Sequence, residues 1–181
     1  MSDLNIHRPH HDSKNMPGEY FVTGRIFGDL KLLNNDDRKY LFLDILFDIC
    51  LKHDLEPIGW MIADDHYHIL VVSDQVFNIG QFVKGIHGTS SKIFNEIDQA
   101  QGRKVWHQYW DRRIRDEKDS WMVFNYNHWN PIKHGYAANL VETADYEFCS
   151  LGLWVELLGR EAIELFYEQY PIDSFDLKVT D

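Results

Sequence analysis

The stretch Trp60-Met-Ile-Ala-Asp-Asp-His-Tyr-His-Ile-Leu-Val-Val-Ser-Asp74 decides how the chain is read. Ile69 to Val72 is a short apolar run rich in β-branched residues and reads as a buried strand. His66 and His68 stand at its entry. Residues two apart on a strand share a face, so the two imidazoles project together. A pair of neutral imidazoles is a natural set of metal ligands, and two protonated ones would repel each other. A His-x-His pair on a strand is nevertheless more often a surface or hydrogen-bonded pair than a ligand pair. Asp64 and Asp65 fit three uses: extra ligands, carboxylates that orient the histidines, or turn residues. The rest of the chain has to decide.

Working outward, Leu55 to Ala63 reads as a strand that turns at the Asp-Asp pair and forms a hairpin with the histidine strand. Tyr20-Phe-Val-Thr-Gly-Arg-Ile26 reads as a first strand, with Gly24 marking a bulge or a close approach. Between them, Asn34-Asn-Asp-Asp37 supplies an N-cap and an acidic first turn for a helix from Arg38 to His53. Its Leu41, Phe42, Ile45, Leu46 and Ile49 recur at helical spacing. Asn78 to Ala100 is a second amphipathic helix.

A length of 181 residues suits one domain, and 44% hydrophobic content supplies a core. No apolar run is long enough to span a membrane, and the first residues lack a signal-peptide pattern. Cys50 and Cys149 make neither a disulfide framework nor a Cys-rich zinc site, so a reducing cytoplasm and buried thiols are expected. Met1 to Met16 reads as a mobile arm.

The net charge of −11 argues at first against a nucleic-acid partner. Its distribution reverses the argument. From Ala138 onward ten acids face only Arg160 and Lys178, whereas Lys84 to Lys118 holds eight basic residues against five acids. Lys84 and Lys92 decorate the second long helix. Arg103-Lys-Val-Trp-His-Gln-Tyr-Trp-Asp-Arg-Arg-Ile-Arg115 then interleaves Arg103, Lys104, Arg112, Arg113 and Arg115 with Trp106, Tyr109 and Trp110. Such a strip offers phosphate contacts and stacking faces to an unpaired strand. It reads equally well as a strand whose aromatics are core.

Asp116 begins a further helix with acids in its first turn, and Pro131 is expected to stop it. Tyr126 and Asn130 are four apart and share a face. A tyrosine hydroxyl can serve as a nucleophile, and an amide oxygen one turn away can serve as a hard oxygen ligand.

Taken together, these motifs resemble the single-tyrosine HUH transposases, most closely the REP-associated tyrosine transposases of bacteria. That family places His-hydrophobe-His on a central strand, here Ala63-Asp-Asp-His-Tyr-His-Ile69, and ends a helix in Tyr-Ile-x-x-Asn-Pro-Val-Lys-x-Gly-Leu, here Tyr126-Asn-His-Trp-Asn-Pro-Ile-Lys-His-Gly-Tyr136. Pro17 to Thr23, Trp106 to Asp116 and Tyr146 to Ser150 are similar to three further family stretches. The likeness covers residues 17–150 and leaves 151–181 as an acidic C-terminal helix and tail.

The resemblance implies an α+β fold, a central antiparallel sheet with helices packed on it, ferredoxin- or RRM-like. It implies His66, His68 and Asn130 as ligands of Mg²⁺ or Mn²⁺, Tyr126 as nucleophile, and Lys133 among the DNA-contacting residues. The implied reaction is cleavage and strand transfer of single-stranded DNA beside REP-like hairpins, through a 5′-phosphotyrosine, by a homodimer in the bacterial cytoplasm near the nucleoid. Two other readings stay open. One is a domesticated relative that binds hairpins without cutting. The other is an unrelated metal-dependent hydrolase built on His66, His68 and Asp65. The chain also departs from the family pattern. Tyr67 replaces an aliphatic between the histidines and is a rival nucleophile, although it should point to the opposite face. Asp64-Asp65 replaces Pro-Asn, and Asn127 replaces the common Ile.

Overall fold

The structure is a computed structural model and describes residues 16–172. The expected N-terminal arm, Met16 apart, and the last part of the acidic tail lie outside the described residues. Four strands, β1 (Gly18–Ile26), β2 (Glu56–Ile62), β3 (His66–Ser73) and β4 (Trp106–Arg113), form one sheet in the order β2-β3-β1-β4. Every neighbouring pair is antiparallel. The helices are α1 (Asp36–Lys52), α2 (Ile79–Ile97), α3 (Glu117–Lys133), α4 (Leu140–Ala144), α5 (Leu151–Leu158) and α6 (Arg160–Gln169). The β-α-β-β-α-β order with β1 and β3 central is the ferredoxin-like arrangement, as the motifs implied.

Strand alternation decides which helix covers which face. Tyr20, Val22 and Ile26 of β1 and Tyr67, Ile69 and Val71 of β3 point one way and form the main core with Phe42, Leu46 and Ile49 of α1 and Phe82, Val83, Ile86 and Phe94 of α2. Phe21 and Leu70 point the other way and meet Val123 and Phe124 of α3. The even-numbered His66 and His68 therefore belong to the face that α3 covers. Asn35, Asn78 and Asp116 cap α1, α2 and α3, each side chain accepting from the backbone N–H three residues on.

Two expectations are corrected. Pro131 does not stop α3, which runs on to Lys133. The helix ends instead at Gly135, whose φ of 75° suits glycine and lets Tyr136 N–H return to Pro131 O at 2.8 Å. Proline costs the helix the one bond its missing N–H would have made to the carbonyl of Asn127, while the ladder resumes beyond it, with His134 N–H donating to Asn130 O at 2.9 Å. Nor is the C-terminal segment that follows residue 150 a single helix. Gly159, at φ 85° and ψ 153°, breaks it into α5 and α6. The break lets α5 lie along β2, where Trp154 Nε1 donates to Ile58 O, while α6 stacks Phe166 on Trp121 of α3 at 4.0 Å. The acidic helices thus pack on β2 and α3.

Candidate metal and tyrosine site

His68 is 2% exposed and sits on the central strand opposite Thr23, whose Oγ1 is 2.8 Å from His68 Nδ1. His66 Nδ1 is 2.7 Å from Asp65 Oδ1. Both rings are therefore held through Nδ1. In each, Nε2 is buried and has no hydrogen-bond partner. The ring centroids are 5.1 Å apart. Burial, reinforced by the neighbouring His66 and His134, drives His68 well below the ordinary histidine range, so it is neutral at pH 7, and with Nδ1 engaged by Thr23 its Nε2 is the nitrogen left for a ligand.

Helix α3 lays Tyr126 against this pair. The Tyr126 ring meets His68 nearly edge-on with centroids 5.8 Å apart, and Phe21 packs against both rings. One turn on, Asn130 donates Nδ2 to Tyr126 O at 2.7 Å, and its Oδ1 is buried without a hydrogen-bond partner. The Asn130 amide acts on the titration of both neighbours, raising His68 and lowering Tyr126. Burial dominates for Tyr126 and leaves its phenol above the ordinary tyrosine value. The Lys133 ammonium stands 5.9 Å from the Tyr126 ring centre. The tyrosine helix thus meets the histidine pair of its own chain.

Three Lewis bases, His66 Nε2, His68 Nε2 and Asn130 Oδ1, are left unused in one neighbourhood, which suits a divalent cation held by two imidazoles and an amide. Among the described residues no three His, Cys, Asp or Glu side chains gather into a metal shell. The fit therefore depends on the amide as third donor and on open positions for water and substrate oxygen.

His134 was not singled out from the sequence. Its ring lies 4.6 Å from that of His66, and burial, then His66 and Lys133, pull it down to about 4. The four-residue spacing of Tyr126, Asn130 and His134 on one helical stripe is the signal that could have found it.

The Asp-Asp pair is absorbed by structure. Asp65 holds His66 and lies 3.6 Å from Arg25, while Asp64 pairs with buried Lys39 at 3.0 Å. Tyr67 points to the opposite face, is fully buried, and places its hydroxyl 3.1 Å from His87 Nε2. Asn127 is buried beside Gly59.

The residues read as DNA-contacting divide into groups. Trp106 is corrected. It belongs to the main core, 6% exposed, where it stacks on His87 and donates Nε1 to Ser90 Oγ, so no face is open to a base. Arg103 is engaged by Asp98 and Asn95, and Arg112 pairs with Asp119. Lys92 stands 4.0 Å from Glu96 on an exposed helix face. Lys84, Arg113 and Arg115 are exposed, as is Lys104, whose ammonium lies over the Phe27 ring. Lys133 alone stands at the tyrosine. A cavity of about 440 Å³ opens between α2 and β4, lined by Lys84, His87, Arg103 and Trp106, on the face away from the histidine pair.

Residues 30–115 match the model of a family described as "Transposase IS200 like". That stretch includes His66 and His68 and ends before Tyr126 and Asn130. A curated Haemophilus influenzae protein named as a REP-associated tyrosine transposase is 24% identical over 132 residues, covering 64% of this chain and 75% of that one. The solved structure of a REP-associated tyrosine transposase bound to a REP hairpin matches with a TM-score of 0.64 at 19% identity, covering 96% of this chain and 94% of that chain. At that identity the structural likeness carries the fold. The resemblance drawn from the motifs and the α+β antiparallel-sheet expectation are both borne out.

Proposed function

We propose that this chain is a metal-dependent single-stranded DNA endonuclease and strand transferase. The observation that carries the proposal is the packing of the Tyr126 ring against the ring of His68, whose Nε2 has no hydrogen-bond partner, inside one chain. His66, His68 and Asn130 would hold Mg²⁺ or Mn²⁺, which when bound offsets charge developing on the scissile phosphate. Tyr126 Oη attacks phosphorus, and the bond to the 3′ oxygen of the preceding nucleotide breaks. The phenolic proton goes to solvent, and the departing oxygen gains a proton as a free 3′-hydroxyl. The product is a 5′-phosphotyrosine, whose reversal by another 3′-hydroxyl joins strands without ATP. Lys133, beside the phenol, supplies positive charge to the incoming phosphate.

The substrate proposed is a REP-like hairpin with an unpaired flank, because the solved relative is described as bound to a REP hairpin. Homodimerisation and a cytoplasmic, nucleoid-associated location belong to the same proposal. The hydrolase reading loses support because Asp65 is spent on His66 Nδ1 and Arg25.

The test is a denaturing gel of the protein with labelled hairpin oligonucleotides, with Mn²⁺ and with chelator, beside Tyr126→Phe. A metal-dependent covalent adduct that disappears in the variant is expected. Tight hairpin binding with no adduct would leave a hairpin-binding protein and overturn the nuclease.

A further inference from the structure

Phe27, His107 and Trp110 form a row of rings on the sheet face that carries the histidine pair. The planes of Phe27 and His107 are 15° apart with centroids 6.0 Å from each other, and those of His107 and Trp110 are 19° apart at 6.3 Å. The row is anchored at both ends. Trp110 stands directly across the sheet from Thr23, the residue that holds His68. Phe27 N–H donates to Val105 O at 2.7 Å, which ties the end of β1 to the segment before β4.

None of the three rings joins an apolar cluster of the described residues. Phe27 is 39% exposed, His107 is exposed and Trp110 is half-buried. Three rings aligned on open sheet surface bury little, so packing does not account for their alignment. Positive charge lies with them. Lys104 Nζ is 4.0 Å from the Phe27 ring centre, and Arg25, two residues before Phe27 on the same face, has a side chain 42% exposed. α3 covers this face over β2 and β3, and the rings lie beyond it at the β4 edge, where flat rings interleaved with cations are what unpaired bases and their phosphates require.

We infer that Phe27, His107 and Trp110 form a stacking platform for the unpaired bases of a single strand, with Lys104 on its phosphates, leading that strand to Tyr126. The inference rests on the nuclease reading for the strand's destination and stands on its own for binding. Near-parallel rings accept any base, because every base has a π-face, so the platform positions a strand without reading its sequence. The stacking role once assigned to Trp106 passes to the opposite face of the same strand.

The test is fluorescence anisotropy of the full chain, in chelator so that no strand is cut. The probes are a labelled oligothymidylate, an abasic oligonucleotide of equal length and a blunt duplex. The double variant Phe27→Ala/His107→Ala is expected to bind oligothymidylate roughly 10- to 100-fold more weakly. Phe27→Tyr, which keeps a ring, should bind as the parent does. The parent should bind the abasic strand about as weakly as the double variant binds oligothymidylate, and duplex binding should not change. Circular dichroism melts confirm that each variant folds. Unchanged oligothymidylate binding in a folded double variant would overturn the platform, as would equal affinity of the parent for abasic and base-bearing strands. A missing Tyr126 adduct with ring-dependent binding intact sinks the nuclease alone. An intact adduct with ring-independent binding sinks the platform alone.

Discussion

Thr23 Oγ1 and His68 Nδ1 lie 2.8 Å apart across the central strand pair. This contact leaves Nε2 as the ring's available nitrogen, and Asp65 does the same for His66. Losing such an outer partner typically costs a metal site 10- to 100-fold in affinity. Thr23→Val and Asp65→Asn are therefore each expected to weaken Mn²⁺ binding by roughly that factor in calorimetric titration. Thr23→Ser should keep it. Unchanged affinity in Thr23→Val would separate the threonine from ion binding.

Tyr67 is the only other tyrosine next to the ligands in sequence, and the strand turns it away from them. Tyr67→Phe is expected to form the covalent adduct at the parental rate. It should lose about 1 kcal/mol of stability in urea melts, the usual worth of one buried hydrogen bond, here that to His87. A lost adduct with the fold intact would move the nucleophile to Tyr67.

Gly24 lies where the main core closes. A Cβ there would sit 2.2 Å from Tyr67 Cε1 and 2.7 Å from His87 Nε2, and the Tyr67 ring is fully buried in the main core. Gly24→Ala is expected to unfold the domain or lower its melting temperature by many degrees. Trp106→Ala should cost about 3–5 kcal/mol in stability, as for other buried aromatics, and should not change DNA affinity in whatever fraction stays folded. Denaturant melts check both. A stable Trp106→Ala protein with weakened DNA binding would restore the tryptophan to the interface.

Acid should destabilise the fold early. Burial holds His87 and His128 near about 3 and His134 near about 4. Each is about 6.5 in an unfolded chain, so between those values the unfolded state binds more protons. Stability is full above about pH 6.5 and falls as pH drops toward 4, by at most about 1.4 kcal/mol per pH unit for each of His87 and His128 and by less for the exposed His134. Asp65, lowered by its bond to His66, gives way only below the ordinary carboxylate range and does not offset this loss. Melting temperature measured from pH 7.5 to 4.5 should decline steadily below 6.5. A flat profile would contradict the neutral state of these rings.

The sheet and its helices were legible because their patterns are local. The alternation in Phe21 to Ile26, the Asn35 cap and the His-x-His step all report on neighbours a few residues away. Trp106 and Trp110 were not separable, since both are aromatic residues on one strand. Only the bulge between Gly24 and Ile26 and the pairing register assign them to opposite faces. His134 escaped because its partner His66 is remote in sequence. The end of α3 was misplaced because Pro131 was weighed without Gly135, the residue that ends the helix.

Asn125 Nδ2 donates to both Phe166 O and Tyr170 O, and Tyr167 Oη donates back to Asn125 O. The helix that presents Tyr126 is thus bolted in place by the final described turn of the chain. Synthesis runs from the N-terminus, so a growing polypeptide displays the histidine pair and then the tyrosine before the bolt exists. The tyrosine's seat is fixed only after Phe166 to Tyr170 have been made, and a nascent chain that still lacks them carries the reactive groups without the clamp that aligns them.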